Sequence, residues 1–227
     1  MIKIENLVVP SPEQMKMVIL GARNSFSSRE KSDSVNVINE NGNDILIIGP
    51  EDKNLLMRLS HSSSAEGKFM RMMHLVFDMT APLYFWKQFD TYKIGTVANS
   101  ESTMHTISKN PIDISDFSVN LDPIARPSIY FNNEPYIDYY EPEKALRQIV
   151  DTLEYYRKMF LETHNKMWWD LLIAMLPESY NQKRTIDINY QALLNIMLQR
   201  HGHKLPEWRE FINTFLTIPY SFLLKGY

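Results

Sequence analysis

A single α+β domain with a mostly helical C-terminal half is the fold the sequence predicts, and three observations predict it. In the first half, Met73, Leu75, Phe77 and Met79 alternate with His74, Asp78 and Thr80, the period-two pattern of a strand with one buried face. From Pro142 onward the apolar residues recur at three and four, the pattern of helices with one buried stripe. The length of 227 residues suits one large domain or two small ones, and no internal repeat divides the chain.

The elements follow in order. Ile2 to Val9 reads as a short strand. Ser11-Pro12-Glu13 opens a helix with a capping hydroxyl, a proline at the first helical position and an acidic first turn, followed by Met15, Val18, Ile19 and Ala22 at helical spacing. Ser25 to Asn43 is polar and reads as a surface loop; Ile45 to Ile48 is a short strand. Pro50-Glu51-Asp52 opens a second helix with Leu55, Leu56 and Leu59 on one face, and Ser60 to Gly67 is a Ser-rich loop containing His61. After the alternating strand at Met73 to Met79, Pro82 to Asp90 is a short aromatic helix. Thr91 to Ser102 has no period, and Ile107 to Pro142 is Pro-, Asp- and Asn-rich and mostly loop. The clearest helix runs from about Pro142 to Asn165, with Leu146, Ile149, Val150, Leu153, Tyr156 and Phe160 on its apolar stripe. A helix at Lys166 to Leu176, a strand at Arg184 to Asn189, a helix capped by Asn189 and running to about Arg200, and a last helix after Pro206 complete the chain.

Composition excludes several chemistries. With no cysteine there is no disulfide framework, no thiolate zinc site, no Cys-held iron–sulfur cluster and no Cys nucleophile. Twenty-four basic against 27 acidic residues leave a net charge of −3, which argues against a surface that coats nucleic acid. Only 7 glycines argue against long flexible linkers. The N-terminus lacks the apolar core of a secretory signal, and no run of about 18 apolar residues occurs. A cytoplasmic protein with no membrane and no nucleic-acid partner is expected.

No Gly-rich phosphate loop and no G-x-S-x-G elbow is present. His201-Gly202-His203 reads as a helix stop, and no metal is expected because no third ligand is evident. The Met70 to Met79 stretch and Trp168-Trp169 read as core and packing. The polar stretch Thr91 to Ser102 either caps a helix or lines a ligand site; the residues leave both open.

Several ordered segments together resemble the flavin-dependent thymidylate synthases, across most of the chain. Gly21-Ala22-Arg23-Asn24-Ser25-Phe26 is similar to the family's early Ala-Ala-Arg-x-Ser-Phe. Leu59-Ser60-His61 falls where the family has a His-Gly-His segment. His74-Leu75-Val76-Phe77 followed by Ala81-Pro82 resembles the strand before its signature. Leu176-Pro177 followed by Asn189, Leu193, Asn195 and Arg200 matches Leu-Pro…Asn-x-x-x-Leu-x-Asn-x-x-x-x-Arg at the family's internal spacings, and Glu207-Trp208-Arg209-Glu210 follows near its Gln-x-Glu-Ile run. The signature itself departs. Arg-His-Arg has become roughly Thr91-Tyr92-Lys93, Asn99 and Ser102 keep the Asn-x-x-Ser spacing, and Arg-Tyr has become Met104-His105. The arginine expected just before Leu-Pro is replaced by apolar residues.

The resemblance implies a fold with a mixed or antiparallel sheet and long C-terminal helices. It implies FAD as cofactor, methylenetetrahydrofolate as co-substrate, a pyrimidine nucleotide (dUMP) as substrate and a homotetramer as the assembly. Arg200 would be the catalytic residue; Gln88, Lys93, Ser102, Thr103 and Arg200 would bind substrate; His61, Asn99, Asn189 and Asn195 would bind the cofactor. A bidentate guanidinium is not equalled by Lys or Met, so fewer cations are left to grip a phosphate. Two functions therefore follow: a divergent C5-modifying enzyme, whose flavin chemistry needs no cysteine, or a non-catalytic nucleotide- or flavin-binding homo-oligomer, such as a host- or phage-encoded regulator. An assembly subunit with extensive aromatic and Met-rich interfaces is a third.

Overall fold

The computed structural model describes residues 2–62, 65–121, 130–131, 134–135 and 142–225. It holds eight helices, α1 (Pro12–Ala22), α2 (Pro50–Ser60), α3 (Leu83–Phe89), α4 (Thr103–Thr106), α5 (Pro142–Thr163), α6 (Lys166–Ala174), α7 (Tyr190–Arg200) and α8 (Pro206–Phe215). Its strands are β1 (Lys3–Val8), β2 (Val35–Ile38), β3 (Asp44–Ile47), β4 (His74–Pro82), β5 (Thr96–Ser100), the two-residue β6 (Tyr130–Phe131) and β7 (Glu134–Pro135), and β8 (Asn181–Asn189). The predicted α+β class is observed. Four strands form a sheet in the order β1-β4-β8-β5, and β2 pairs β3. Chain contacts group the residues into two compact units, one of Ile2–Thr80, Gln88–Asn99 and Arg184–Tyr227, the other of Ala81–Lys87 and Ser100–Lys183.

In the first unit β1 runs antiparallel to β4, with Lys3 opposite Thr80 and Glu5 opposite Asp78; an extra residue then shifts Val8 opposite Val76. Asn6 takes a left-handed φ of 53° at that bulge, a conformation Asn tolerates better than most residues. The alternation in β4 is realised: Leu75, Phe77 and Met79 are buried, and His74 and Val76 face outward. Onto the buried face packs an aromatic ladder from α8, with Phe77 5.1 Å from Phe215, Phe215 4.7 Å from Phe211 and Phe211 5.8 Å from Trp208, ring centre to ring centre. Met15, Ile19, Leu56, Met70 and Met73 fill the same core, as expected for Met70 and Met73, whereas Met72 is exposed.

The helix starts follow their capping chemistry. Ser11 accepts from Gln14 N at α1, and Asn189 accepts from Ala192 N at α7. At α2 the N-cap is Gly49, which has no side chain to offer; Asp33, just before β2, accepts from Glu51 N and Asp52 N instead. A Cβ at Gly49 would collide with that carboxyl, so glycine is required by the close approach.

Two expectations are corrected. The stretch read as a polar loop from Ser25 to Asn43 contains β2, which pairs in register with β3, Val35 opposite Ile47 and Ile38 opposite Asp44. The stretch without period, Thr91 to Ser102, contains β5, an edge strand whose residues are nearly all exposed. Neither has the buried alternating face from which a strand is read. Of the Pro-rich stretch Ile107 to Pro142, residues 122–129, 132–133 and 136–141 lie outside the described residues.

In the second unit α5 and α6 pack against each other across a two-residue link. His164 ends α5 in a left-handed conformation (φ 52°), and Asn165 caps α6 by accepting from Met167 N. Leu146, Val150 and Leu153 of α5 join Leu172, Ile107, Ile112 and Phe117 in one core. Trp168 packs between Tyr155 and Tyr156, with ring centres 5.7 and 5.9 Å away. Ile149, expected on the buried stripe, is instead exposed, and Arg157 takes a buried place. Arg157 is tolerated there because Nη2 and Nε donate to Glu154 at 2.6 and 2.7 Å and Nη1 to the Ser108 carbonyl.

Candidate functional site

Two features of the first unit combine residues singled out from the sequence with room or polar groups for a ligand. The first is a cleft of about 640 Å³ between the C-terminal end of α1, the turn Asn24–Phe26, the end of α2 and the segment 65–72. Asn24, Ser25, Arg29, Glu66 and Lys68 supply its polar lining. Arg29 Nε donates to Asn24 Oδ1 at 2.6 Å. Phe26, Met17 and Met72 line the same cleft and are more than half exposed, which is unusual for side chains that could turn inward. Two segments far apart in sequence therefore meet here: Gly21, Ala22, Asn24, Ser25 and Phe26 from the Ala-Ala-Arg-x-Ser-Phe-like stretch, and Leu59 from the segment ending in His61.

Arg23, between the lining residues Ala22 and Asn24, makes a buried ion pair. Arg23 Nε donates to Asp52 Oδ1 at 2.5 Å, and Asp52 Oδ2 accepts from Ser32 Oγ, Ser34 N and Ser34 Oγ. Burial opposes ionisation of Asp52, but the Ser34 and Ser32 hydroxyls and the Arg23 guanidinium outweigh it and hold the carboxyl below its ordinary value. Arg23, part of the family-like motif, thus has a structural partner.

The second feature surrounds Arg200, in the last turn of α7. Its guanidinium carbon lies 4.8 Å from the centre of the Trp208 ring and 5.4 Å from that of Tyr92, within cation–π range. Nε donates to Tyr92 Oη at 2.8 Å, and Tyr92 Oη donates to Gln199 Oε1 at 3.1 Å. Trp208, fully buried, donates its indole N–H to Gln88 Oε1 at 2.9 Å. The turn that presents Tyr92 is closed by a hydrogen bond from Thr96 Oγ1 to the Tyr92 carbonyl and by Gly95 at φ 78°. Gly95 O accepts from Asn189 N at 3.0 Å, and a Cβ on Gly95 would collide with the Asn189 side chain.

The residues singled out from sequence fall as follows. Gln88 and Arg200 are brought together by Trp208. Lys93 is exposed beside Tyr92, without an ion pair among the described residues. Asn189 is buried; its Oδ1 caps α7 and its Nδ2 abuts Gly95. Asn195 is exposed on α7, and Asn99 is exposed on β5. His61 follows α2, its Nδ1 against the Met57 carbonyl at 2.7 Å and its Nε2 against the Lys225 carbonyl at 3.2 Å. None of these four lines the 640 Å³ cleft. Ser102 and Thr103 belong to the other unit, where Ser102 starts α4 and Thr103 Oγ1 accepts from Gln182 Nε2 at 3.3 Å. In the His-Gly-His stretch, Gly202 takes φ 77°, and His203 Nδ1 accepts from Leu205 N while its ring meets Trp208.

Sequence reasoning missed Tyr92, Trp208, Arg29 and Lys68. The first two carried a signal, since both lie inside the family-like segments that flank Arg200. Arg29 and Lys68 carried none beyond their charge.

The resemblance seen in the sequence implies a flavin dinucleotide, and the cleft offers a direct test of fit. Arg29 and Lys68, against the single carboxylate of Glu66, leave the lining net positive, which with an amide and a hydroxyl suits phosphate oxygens, and the exposed Phe26, Met17 and Met72 suit a flat ring. The residues present fit such a group.

No known family profile matches the sequence, and no curated protein matches it in sequence. Among solved structures the chain is similar to the flavin-dependent thymidylate synthase ThyX from Helicobacter pylori, complexed with FAD and dUMP: 18% identity over 99% of this chain and 97% of that one, TM-score 0.64. A second structure of that protein with FAD and dUMP gives 18% identity, full coverage of both chains and a TM-score of 0.63. The UMP/dUMP methylase PolB from Streptomyces cacaoi, bound with 5-Br dUMP, covers 87% of this chain and 77% of its own at 18% identity, with a TM-score of 0.55. Over its whole length the chain has the fold of a flavin-dependent thymidylate synthase.

Proposed function

We propose that this protein is a divergent flavin-dependent thymidylate synthase-like enzyme that methylates, or otherwise modifies, C5 of dUMP with FAD and methylenetetrahydrofolate. One observation carries the reading: the two family-like segments at Gly21–Phe26 and Leu59 converge on one polar-and-aromatic cleft in a chain whose whole length has the synthase fold. The dUMP and FAD bound in the Helicobacter pylori synthase and the 5-Br dUMP in the methylase support the ligand classes.

In this reading Asn24, Ser25, Arg29 and Lys68 hold the phosphates of the dinucleotide and Phe26 flanks a ring. Gln88 and Arg200 hold the pyrimidine nucleotide, with Lys93 as a further phosphate contact. Reduced flavin, when bound, supplies hydride. The protein's own work is to orient the pyrimidine and balance its negative charge. The reading includes a homotetramer and a cytoplasmic location.

The test begins with the visible spectrum of the purified protein, before and after adding FAD and desalting, followed by tritium release from 5-tritiated dUMP with the folate donor. Retained flavin with tritium release supports the enzyme; a colourless protein that ignores FAD and dUMP refutes it.

A second reading, a non-catalytic nucleotide- or flavin-binding protein, is favoured by one observation. Asn189 Oδ1 and both ring nitrogens of His61, in two residues assigned to the cofactor, are engaged with the chain itself. It predicts thermal stabilisation by dUMP or FAD without turnover.

A further inference from the structure

We propose that Tyr92 and Trp208 are positioning residues that hold Arg200 as a preformed fork for the phosphate of a pyrimidine nucleotide, and that Trp208 locks Gln88 into the same unit. The inference rests on the nucleotide reading above and adds to it how the site is held.

The geometry of the guanidinium carries it. Nε is committed to Tyr92 Oη, and the two aromatic rings lie within 5.4 Å of the guanidinium carbon. Among the described residues, Nη1 and Nη2 donate no hydrogen bond, and Arg200 is only partly buried. The side chain is therefore anchored through Nε and by two aromatic rings within cation–π range, with the two terminal nitrogens left as a paired donor edge. That edge matches two oxygens of a phosphate. A flexible arginine must lose its rotamer freedom on binding; one already hydrogen-bonded and held against two rings loses less.

The same indole also settles the orientation of Gln88. Its Oε1 accepts from Trp208 Nε1, so the amide presents its N–H₂ as donor. A nucleotide has an acceptor for each: phosphate oxygens for Arg200, a pyrimidine carbonyl for Gln88. Tyr92 occupies the middle of the stretch Thr91-Tyr92-Lys93, where the family signature has Arg-His-Arg. In this chain that position supplies a ring and a hydroxyl that anchor an arginine contributed by α7.

Isothermal titration of the full-length protein with dUMP and with deoxyuridine tests this. Tyr92→Phe removes only the hydroxyl and is expected to weaken dUMP about tenfold, the effect of losing one charge-assisted hydrogen bond. Deoxyuridine, which has no phosphate, is expected to change less than twofold. Tyr92→Leu, which removes ring and hydroxyl, weakens dUMP further. Trp208→Phe weakens both ligands, because Gln88 loses its anchor; should that variant fail to fold, the two Tyr92 variants carry the test. Loss of dUMP selectivity over deoxyuridine at an unchanged melting temperature is the signature that mere structural loosening would not produce. If both Tyr92 variants bind dUMP within twofold of wild type, or lose dUMP and deoxyuridine equally, the positioning role is overturned while the nucleotide reading stands. If the wild-type protein binds neither, both fall.

Discussion

Replacing Asp52 by alanine removes the acceptor for four donors at once: Arg23 Nε, Ser32 Oγ, Ser34 N and Ser34 Oγ. The carboxylate is fully buried and the guanidinium is 6% exposed. Arg23 would be left with a long contact from Nη1 to the Ser28 carbonyl at 3.5 Å. Removing one partner of a buried pair costs about 3–5 kcal/mol, because the survivor stays buried with its charge unmatched. For a chain of this size about 2–4 °C of melting temperature follows each kcal/mol. Asp52→Ala should therefore melt roughly 6–20 °C below wild type, measured by circular dichroism with a denaturant series for the free energy. The double variant Arg23→Met, Asp52→Leu should recover part of the loss, since no charge is then stranded, although the Ser34 donors remain. The loop that bears Ser25 and Arg29 runs between the two tied segments, so the single variant should also lose affinity for FAD. A loss under about 1 kcal/mol for Asp52→Ala would mean that water reaches the pair, and the account of a buried, desolvated ion pair would be wrong.

Three further outcomes are expected. Asp52 and Glu154 both ionise more readily in the native state than in the unfolded chain, Glu154 because Arg157 hydrogen-bonds it against the opposing effect of burial. Their stabilisation is therefore fully present above about pH 4–5 and is lost as pH falls through the depressed native values; the melting temperature should drop steeply on that acid limb, and Glu154→Gln should flatten it. Gly95→Ala should destabilise by more than about 1 kcal/mol, since it places a side chain at positive φ and against Asn189; a neutral result in thermal melts would refute the tight turn. Leu153→Ala, in the core shared by α5 and α6, should cost about 2–5 kcal/mol with nucleotide affinity unchanged, and unaltered denaturant unfolding would count against that core.

Much of the secondary structure was legible in the residues because local chemistry dictates it. Ser11-Pro12 and Asn189 cap the helices they precede, the β4 alternation buries one face, and Gly202 stops α7. The family-like segments Gly21–Phe26 and Asn189…Arg200 supply residues of the cleft and of the cluster around Arg200. The positions that misled were those with a second partner. Ile149 sits at a helical spacing that promises burial, yet it is exposed while Arg157 is buried, because Glu154 and the Ser108 carbonyl satisfy the guanidinium. Strands β2 and β5 lack a buried face, so periodicity had nothing to report.

Sequence alone determined the α+β class, the absence of cysteine chemistry, most helix boundaries and the likeness to one family of flavin enzymes. Tertiary structure decided which side chains meet. It joined Gly21–Phe26 to Leu59 and Lys68 around one cleft, gave Arg23 to Asp52, and set Arg200 against Tyr92 and Trp208 with Gln88 on the same indole. The physical reason is reach. Caps and periodic faces are interactions between residues three or four apart, which a sequence displays directly. Cages and buried pairs are interactions between residues 29 to 120 positions apart, and only the packing of the elements that carry them brings those groups within hydrogen-bonding distance.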